Sequence, residues 1–210
     1  YRTILLTDIG RYGEAMENAM ASLRLHRELD TKEDELASLV VACRAGLAQG
    51  VVSDLEPMLD AATELLAGYD TEGFAPVVHA WRARVYALQG RLSEACDAIE
   101  LAGQSEVRAW PGQRVRANLN LARVYRLLDA RDEGFTLAEE ALRLADASGY
   151  RHYAMRARQL IIECTDDEVA IARHRRVAEA LARSLAANLS REDATSFLAM
   201  HGIKPRVGLI

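Results

Sequence analysis

The sequence predicts an all-α fold, a right-handed α-solenoid of antiparallel helix pairs, on three observations. Apolar residues recur at helical spacing along most of the chain, which places them on one face of successive helices. The breaks between these stretches keep a rhythm, with Gly10, Gly50, Gly90 and Asp129 standing 40, 40 and 39 residues apart. No stretch sustains the period-two alternation of a half-buried strand. Half of the 210 residues are hydrophobic and four are proline, which suits a packed helical protein.

The clearest unit runs from Val77 to Ala102. Val78, Trp81, Val85 and Leu88 share one face of a first helix, and Gln89-Gly90 ends it. Ser93 is expected to cap a second helix, with Glu94 near its positive end and Leu92, Ala95, Cys96, Ile99 and Ala102 on its apolar face. Two short helices cannot bury both faces alone, so neighbours must stack on them.

Taken in order, residues 1–7 read as the end of a first helix, turned by Gly10 into a partner over 12–29. Asp30 or Thr31 is expected to cap the next helix, which reaches Ala48. After Gly50, Ser53 with Glu56 has the spacing of a capping box, although Pro57 is awkward beside it. That helix carries Leu55, Leu59, Ala62 and Leu66 to Gly68, and Asp70-Thr71-Glu72-Gly73 forms a loop. Trp110-Pro111-Gly112 precedes a fourth pair, about 113–128 and 131–147, and Gly149 ends it. A fifth pair covers about 150–164 and 166–188, with Thr165-Asp166-Asp167 as its turn. Ser190 with Asp193 starts a short capping helix through Phe197, Leu198 and Met200, stopped by Gly202 and Pro205. The units are thus 1–30, 31–69, 70–107, 108–148 and 149–189, followed by a cap and tail over 190–210.

At Ala83, Tyr86, Gly90, Ala95, Ile99 and Ala102 the unit resembles the tetratricopeptide repeat family, matching its small, aromatic, glycine, alanine, bulky and alanine positions. The frame slides along the chain: Cys43, Ala83 and Ala122 hold the small first-helix position, and Ser22, Ala62, Ala102 and Ala141 the late second-helix one. An acid opens each second helix, at Glu14, Asp54, Glu94 and Glu133. Leu55 and Gly134 stand where the family prefers alanine, and Gly46 where it prefers an aromatic residue. The period exceeds the family's usual ~34 residues. Such longer repeats are similar to those of bacterial signal-transduction ATPases, kinases and cyclases. The resemblance implies a groove that binds a protein or peptide.

Net charge is −5, from 26 basic and 31 acidic residues, which argues against nucleic acid as the main partner. Cys43, Cys96 and Cys164 are odd in number and far apart, so they read as reduced thiols of a cytoplasmic protein. No apolar run approaches the ~20 residues that cross a bilayer. Tyr1 and the R-T-I-L-L that follows it fall midway through a first helix of the repeat frame. A solenoid normally ends on a polar cap. The expectation is therefore a piece of a longer regulator, with an upstream effector domain and an open apolar edge at Ile4-Leu5-Leu6 that offers a route to a homodimer.

Nothing in the sequence has the pattern of an enzyme, a cofactor site or a metal site. His26, His79, His152, His174 and His201 are scattered, without metal-ligand spacing. There is no H-E-x-x-H, G-x-S-x-G or phosphate loop. Acid pairs such as Asp166-Asp167 fall in turns, where capping is the better reading.

Arginines are more informative. The first-helix position that faces the concave groove in the family holds Arg44, Arg84 and Arg123, with Arg116 and Arg126 one groove-facing step either side of Arg123. Guanidinium groups bind carboxylate and phosphate bidentately, so this stripe is the candidate partner-binding site, for an acidic segment. The competing reading is that each arginine pairs with an acid of the next repeat. Asn118 and Asn120 share the helix. His174-Arg175-Arg176 reads as a solvated helix face, Trp81 as core, and Trp110 as an exposed ring able to stack. The expected function is a non-enzymatic interaction or sensing module; the alternatives are a small-molecule sensor and a self-association module.

Overall fold

A computed structural model of the chain describes residues 2–70, 73–105 and 109–203. Its helices are α1 (Arg2–Asp8), α2 (Tyr12–Glu28), α3 (Lys32–Gln49), α4 (Glu56–Tyr69), α5 (Ala75–Leu88), α6 (Leu92–Ser105), α7 (Pro111–Leu127), α8 (Arg131–Ala147), α9 (Arg151–Cys164), α10 (Glu168–Ala186) and α11 (Arg191–Met200). Among the described residues there is no strand, and the fold is an all-α solenoid of successive helix pairs. Each odd-numbered helix from α1 to α9 packs on the next odd-numbered one, forming an inner wall. Among the described residues no helix is long and apolar enough to cross a membrane.

The four rhythmic positions are the tight turns. Gly10, Gly50 and Gly90 have φ of 84°, 83° and 75°, and Asp129 has φ 59°. A side chain in this left-handed region is strained, and the Asp129 carboxylate also faces the negative end of α7. Both effects are relieved by Asp129→Gly, against a smaller loss from the freer unfolded chain. The variant should be more stable by about 0.5–1 kcal/mol, read from urea unfolding; an unchanged or lower midpoint would mean the aspartate makes a compensating contact.

Departures from the family pattern compensate one another. A Cβ on Gly46 would overlap Leu55 Cδ2 and stand 3.2 Å from the Met16 methyl. The bulk that an aromatic residue on α3 would supply therefore comes from Leu55 instead, which is buried. At Gly134 a Cβ would meet the Ala122 carbonyl at 3.1 Å and Cys164 Sγ at 3.3 Å, so α8 approaches α7 and α9 more closely than an alanine permits.

Several local expectations change. Ser53 bonds Asp54 rather than forming a capping box, α4 starts at Glu56, and Pro57 sits in its first turn, where a missing N–H costs nothing. Thr31 precedes α3 without a side-chain cap, its hydroxyl engaged by His26, and Asp30 is a turn residue at φ 53°. Ser93 lies inside α6, whose buried stripe is Ala95, Ala98 and Ala102; Leu92, Cys96 and, on α5, Leu88 are exposed. Asp70 caps α5 instead, accepting from Phe74 N and Ala75 N. Asp167 and Ser190 cap α10 and α11. Tyr1, Thr71, Glu72 and Pro205 lie outside the described residues. His174 is not part of a solvated face: it is buried against Arg158 and Arg173, while Arg175 and Arg176 are exposed.

The apolar edge expected to be open is partly covered. Leu6 and Ile9 share one core cluster with Met155 of α9, Ala178, Ala182 and Ala186 of α10, Phe197 and Leu198 of α11, and Ile203. Leu5 stays 52% exposed. Ser196 Oγ donates to the Ile9 carbonyl at 3.0 Å, Tyr12 Oη meets Met200 Sδ at 3.0 Å, and Arg11 faces Asp193 at 3.5 Å. Through α9 and α11, the far end of the solenoid thus returns onto its first hairpin. The concave side becomes a partly enclosed space.

Candidate functional site

That space is a cavity of about 240 Å³ lined from every odd-numbered helix and from the α11 end. Arg44 of α3, Arg84 of α5, Arg116 and Arg123 of α7, and Arg156 of α9 all reach it, and no aspartate or glutamate is among its lining residues. Helical spacing explains the convergence: Arg116 and Arg123 are seven residues apart, two turns on one face. Trp81 is core, 3% exposed, and also forms part of the wall.

Residue by residue, the arginines divide between the two readings of the stripe. Arg44 pairs with Asp8 of the preceding hairpin, and Arg156 reaches the same oxygen, Oδ1, at 3.1 Å. Arg126 lies off the lining, exposed, and pairs with Glu163 of α9 at 3.1 Å. The other three have neutral partners. Arg84 Nη1 donates to Asn120 Oδ1 at 3.4 Å, and Arg123 Nη1 to the Leu119 carbonyl at 3.2 Å. Arg116 donates to the Tyr153 hydroxyl and to Gln113 Oε1. Asn120 holds its orientation by donating to the Arg116 carbonyl at 2.8 Å.

The site is strongly positive. Burial, then Arg84 and Arg156, push the Arg123 guanidinium down to about 9, with Glu163 opposing. Burial, Arg156 and Arg126 push Arg84 down as well. Arg156 is lowered by burial against the opposing pull of Asp8. Guanidinium groups remain charged at neutral pH, so the cavity holds several cations that repel one another in a poorly hydrated space. Chemically it is suited to take up an anion.

Arg156, Tyr153, Gln159, Tyr12 and His201 escaped the sequence reading. Gln159 meets the His201 ring at 3.1 Å, and the Phe197 ring packs on it at 4.8 Å. Trp110 is 59% exposed and lies away from the cavity. Among the described residues no group of histidine, cysteine, aspartate and glutamate is placed to hold a metal ion. Cys43 is buried, and burial pushes its thiol up to about 12.

Two histidines, His201 in the cavity lining and His152 beside Asp8, make folding acid-sensitive. Burial pushes His152 down to about 3, with Asp8 opposing and Arg156, Arg44 and His201 adding to the fall. Burial and Arg156 push His201 down to about 4, Asp8 again opposing. Both folded values lie below the ~6.5 of an unfolded chain, so the unfolded state binds more protons between those limits. Stability is therefore complete above about pH 6.5 and falls as pH drops, with a slope approaching ~1.4 kcal/mol per pH unit for each histidine. Urea unfolding between pH 6.5 and 5 should show this slope, and His152→Gln should remove about one proton's share. Equal slopes in both proteins would rule out His152 as the titrating group.

Fold and site together define an all-α helical-repeat protein whose concave face holds an arginine-lined cavity. No protein-family model matches the chain, and no curated protein does. Among solved structures it is similar to the TPR-like repeats of a kinesin light chain-like protein of Podosopora anserina. The TM-score is 0.48 at 17% identity, over 90% of this chain and 94% of that one. A substituted form of the same protein gives a TM-score of 0.48 at 18% identity, over 88% and 91%. The architecture is defined by the helix pairs themselves.

Proposed function

We propose that the protein is a non-enzymatic recognition module, part of a larger bacterial cytoplasmic regulator, that takes an anionic segment of a protein partner into its central cavity. The observation that carries this reading is the pair Arg84 and Arg123, charged side chains held inside the cavity with neutral acceptors. A buried cation without a counterion is costly, and a ligand carrying negative charge removes that cost when it binds. The partial enclosure of the cavity, with Met200 and His201 in its lining, favours a second reading, a small-molecule sensor. In either case binding would change how the solenoid docks on a neighbouring effector domain.

Fluorescence anisotropy with a library of acidic and neutral peptides tests the first reading against Arg84→Met and Arg123→Met. Arg44 is left intact because it is tied to Asp8. Acidic peptides should bind the wild type, weaken steeply with salt and lose the variants. Equal capture of neutral peptides, or equal binding by the variants, would remove the anionic groove. Silence towards peptides with a thermal shift on adding small anions would favour the sensor.

A further inference from the structure

We infer that the anionic group accepted by this cavity is a phosphoryl-type oxyanion, tetrahedral and multiply charged, rather than a carboxylate. The inference rests on the anion-recognition reading above and names its ligand class.

The chain itself shows how the cavity rim deals with a carboxylate. One oxygen of Asp8 takes both Arg44 and Arg156, and those two cations are thereby committed. Arg84, Arg116 and Arg123 remain, approaching from α5 and α7. Each guanidinium carries five N–H donors. Among the described residues, the acceptors of these three are one amide oxygen, one main-chain carbonyl, a tyrosine hydroxyl and a glutamine oxygen. A carboxylate carries one charge, and its two acceptor oxygens lie in one plane, even where, as at Asp8, two guanidinium groups share it. It would leave two of the three cations uncompensated. A phosphate monoester carries a charge of about −1.5 to −2 and three terminal oxygens pointing in different directions. It can accept from arginines on two helices at once. The Tyr153 hydroxyl, which accepts from Arg116, and the second amide N–H of Asn120 add neutral donors around the same space. A volume of about 240 Å³ holds the phosphoryl group with the first atoms of its carrier, either a phosphorylated side chain of a partner or a free phosphate ester.

The test is a thermal-shift and calorimetric series at constant ionic strength. The probes are inorganic phosphate, O-phosphoserine, succinate, a phosphoserine peptide and its glutamate counterpart. Phosphate and O-phosphoserine should raise Tm saturably while succinate and the glutamate peptide do not. Arg123→Met should weaken phosphate binding by about tenfold or more. A phosphopeptide that binds about tenfold tighter than O-phosphoserine assigns the carrier to a protein partner; equal binding assigns it to a small ester. Succinate or the glutamate peptide binding as tightly as their phosphorylated counterparts would overturn the phosphoryl inference and leave anion recognition standing. No response to any anion would overturn both. A phosphate response unchanged in Arg84→Met and Arg123→Met would place the anion elsewhere and also overturn the inference.

Discussion

Asp8→Ala should lower stability by about 3 kcal/mol and loosen both ends of the molecule together. Asp8 ends α1, and its carboxylate is 15% exposed. It accepts from Arg44 and Arg156, and His152 Nε2 lies 3.4 Å away. Removing one member of such a cluster leaves the other charges buried without a partner, which costs ~3–5 kcal/mol when burial is complete; the residual exposure puts this case at the lower end. Asp8→Asn keeps the shape and one acceptor, so it should cost less than Asp8→Ala. Location makes the prediction specific. In a linear solenoid each repeat touches its neighbours alone, and damage at one end stays there. Here Asp8 bonds to Arg156, 148 residues away, and Ser196 to Ile9, 187 residues away. Hydrogen exchange should therefore accelerate in α1 and also in α11, which Asp8 does not touch. Faster exchange in α1 with α11 unchanged would show that the two ends are not coupled. Urea unfolding supplies the magnitude.

The contrast between the turns and this closure shows which kinds of information the sequence carries openly. Gly10, Gly50, Gly90 and Asp129 act locally: a left-handed backbone position selects its residue type, and a regular step exposes the repeat. The all-α solenoid was legible for that reason. Helix starts were less so, because serine, threonine and aspartate near a start satisfy several local bonds of similar strength. Asp167 and Ser190 cap as expected, whereas Thr31 turns to His26, and Asp70 reaches across the 70–73 loop to cap α5. The exposure of Leu92 and Cys96 follows from the same limit, since an apolar residue on one side of a helix need not face the wall. Arg44, Arg84, Arg116 and Arg123 reach the cavity from the helix register that marked them. Arg156 stands one 40-residue step beyond Arg116, but the same step from Arg123 lands on Glu163, so the stripe followed through Arg44, Arg84 and Arg123 passes it by. Closure by Asp8 could not be read at all. It depends on single charged residues meeting across the whole fold, and no periodicity announces them.

Arg123→Met should make the unliganded protein more stable while weakening anion binding by about tenfold or more. Its guanidinium sits among Arg84, Arg156 and Arg126, with Glu163 as an opposing charge and a main-chain carbonyl as its hydrogen-bond partner, and its pKa falls to about 9. The folded state thus holds a charge that it disfavours relative to the unfolded chain, and at neutral pH that charge remains. Methionine matches the length of the apolar stem, fills irregular space and carries no charge. Replacing buried ionic groups by apolar residues of similar volume commonly stabilises by ~1–4 kcal/mol, and urea unfolding in buffer without phosphate should show a gain in that range. Arg84→Met should act in the same direction. Arg126→Met is the control, because that arginine is exposed and paired with Glu163, and its removal should change stability by no more than about 1 kcal/mol. A structural role for Arg123 would reverse the sign: if its bond to Leu119 and its packing held the wall together, Arg123→Met would destabilise the protein in every buffer. A gain in stability paired with a loss of binding is the behaviour of strain kept for a ligand. Anion at a fixed concentration should then raise the stability of the wild type towards that of the variant, and raise the variant by less.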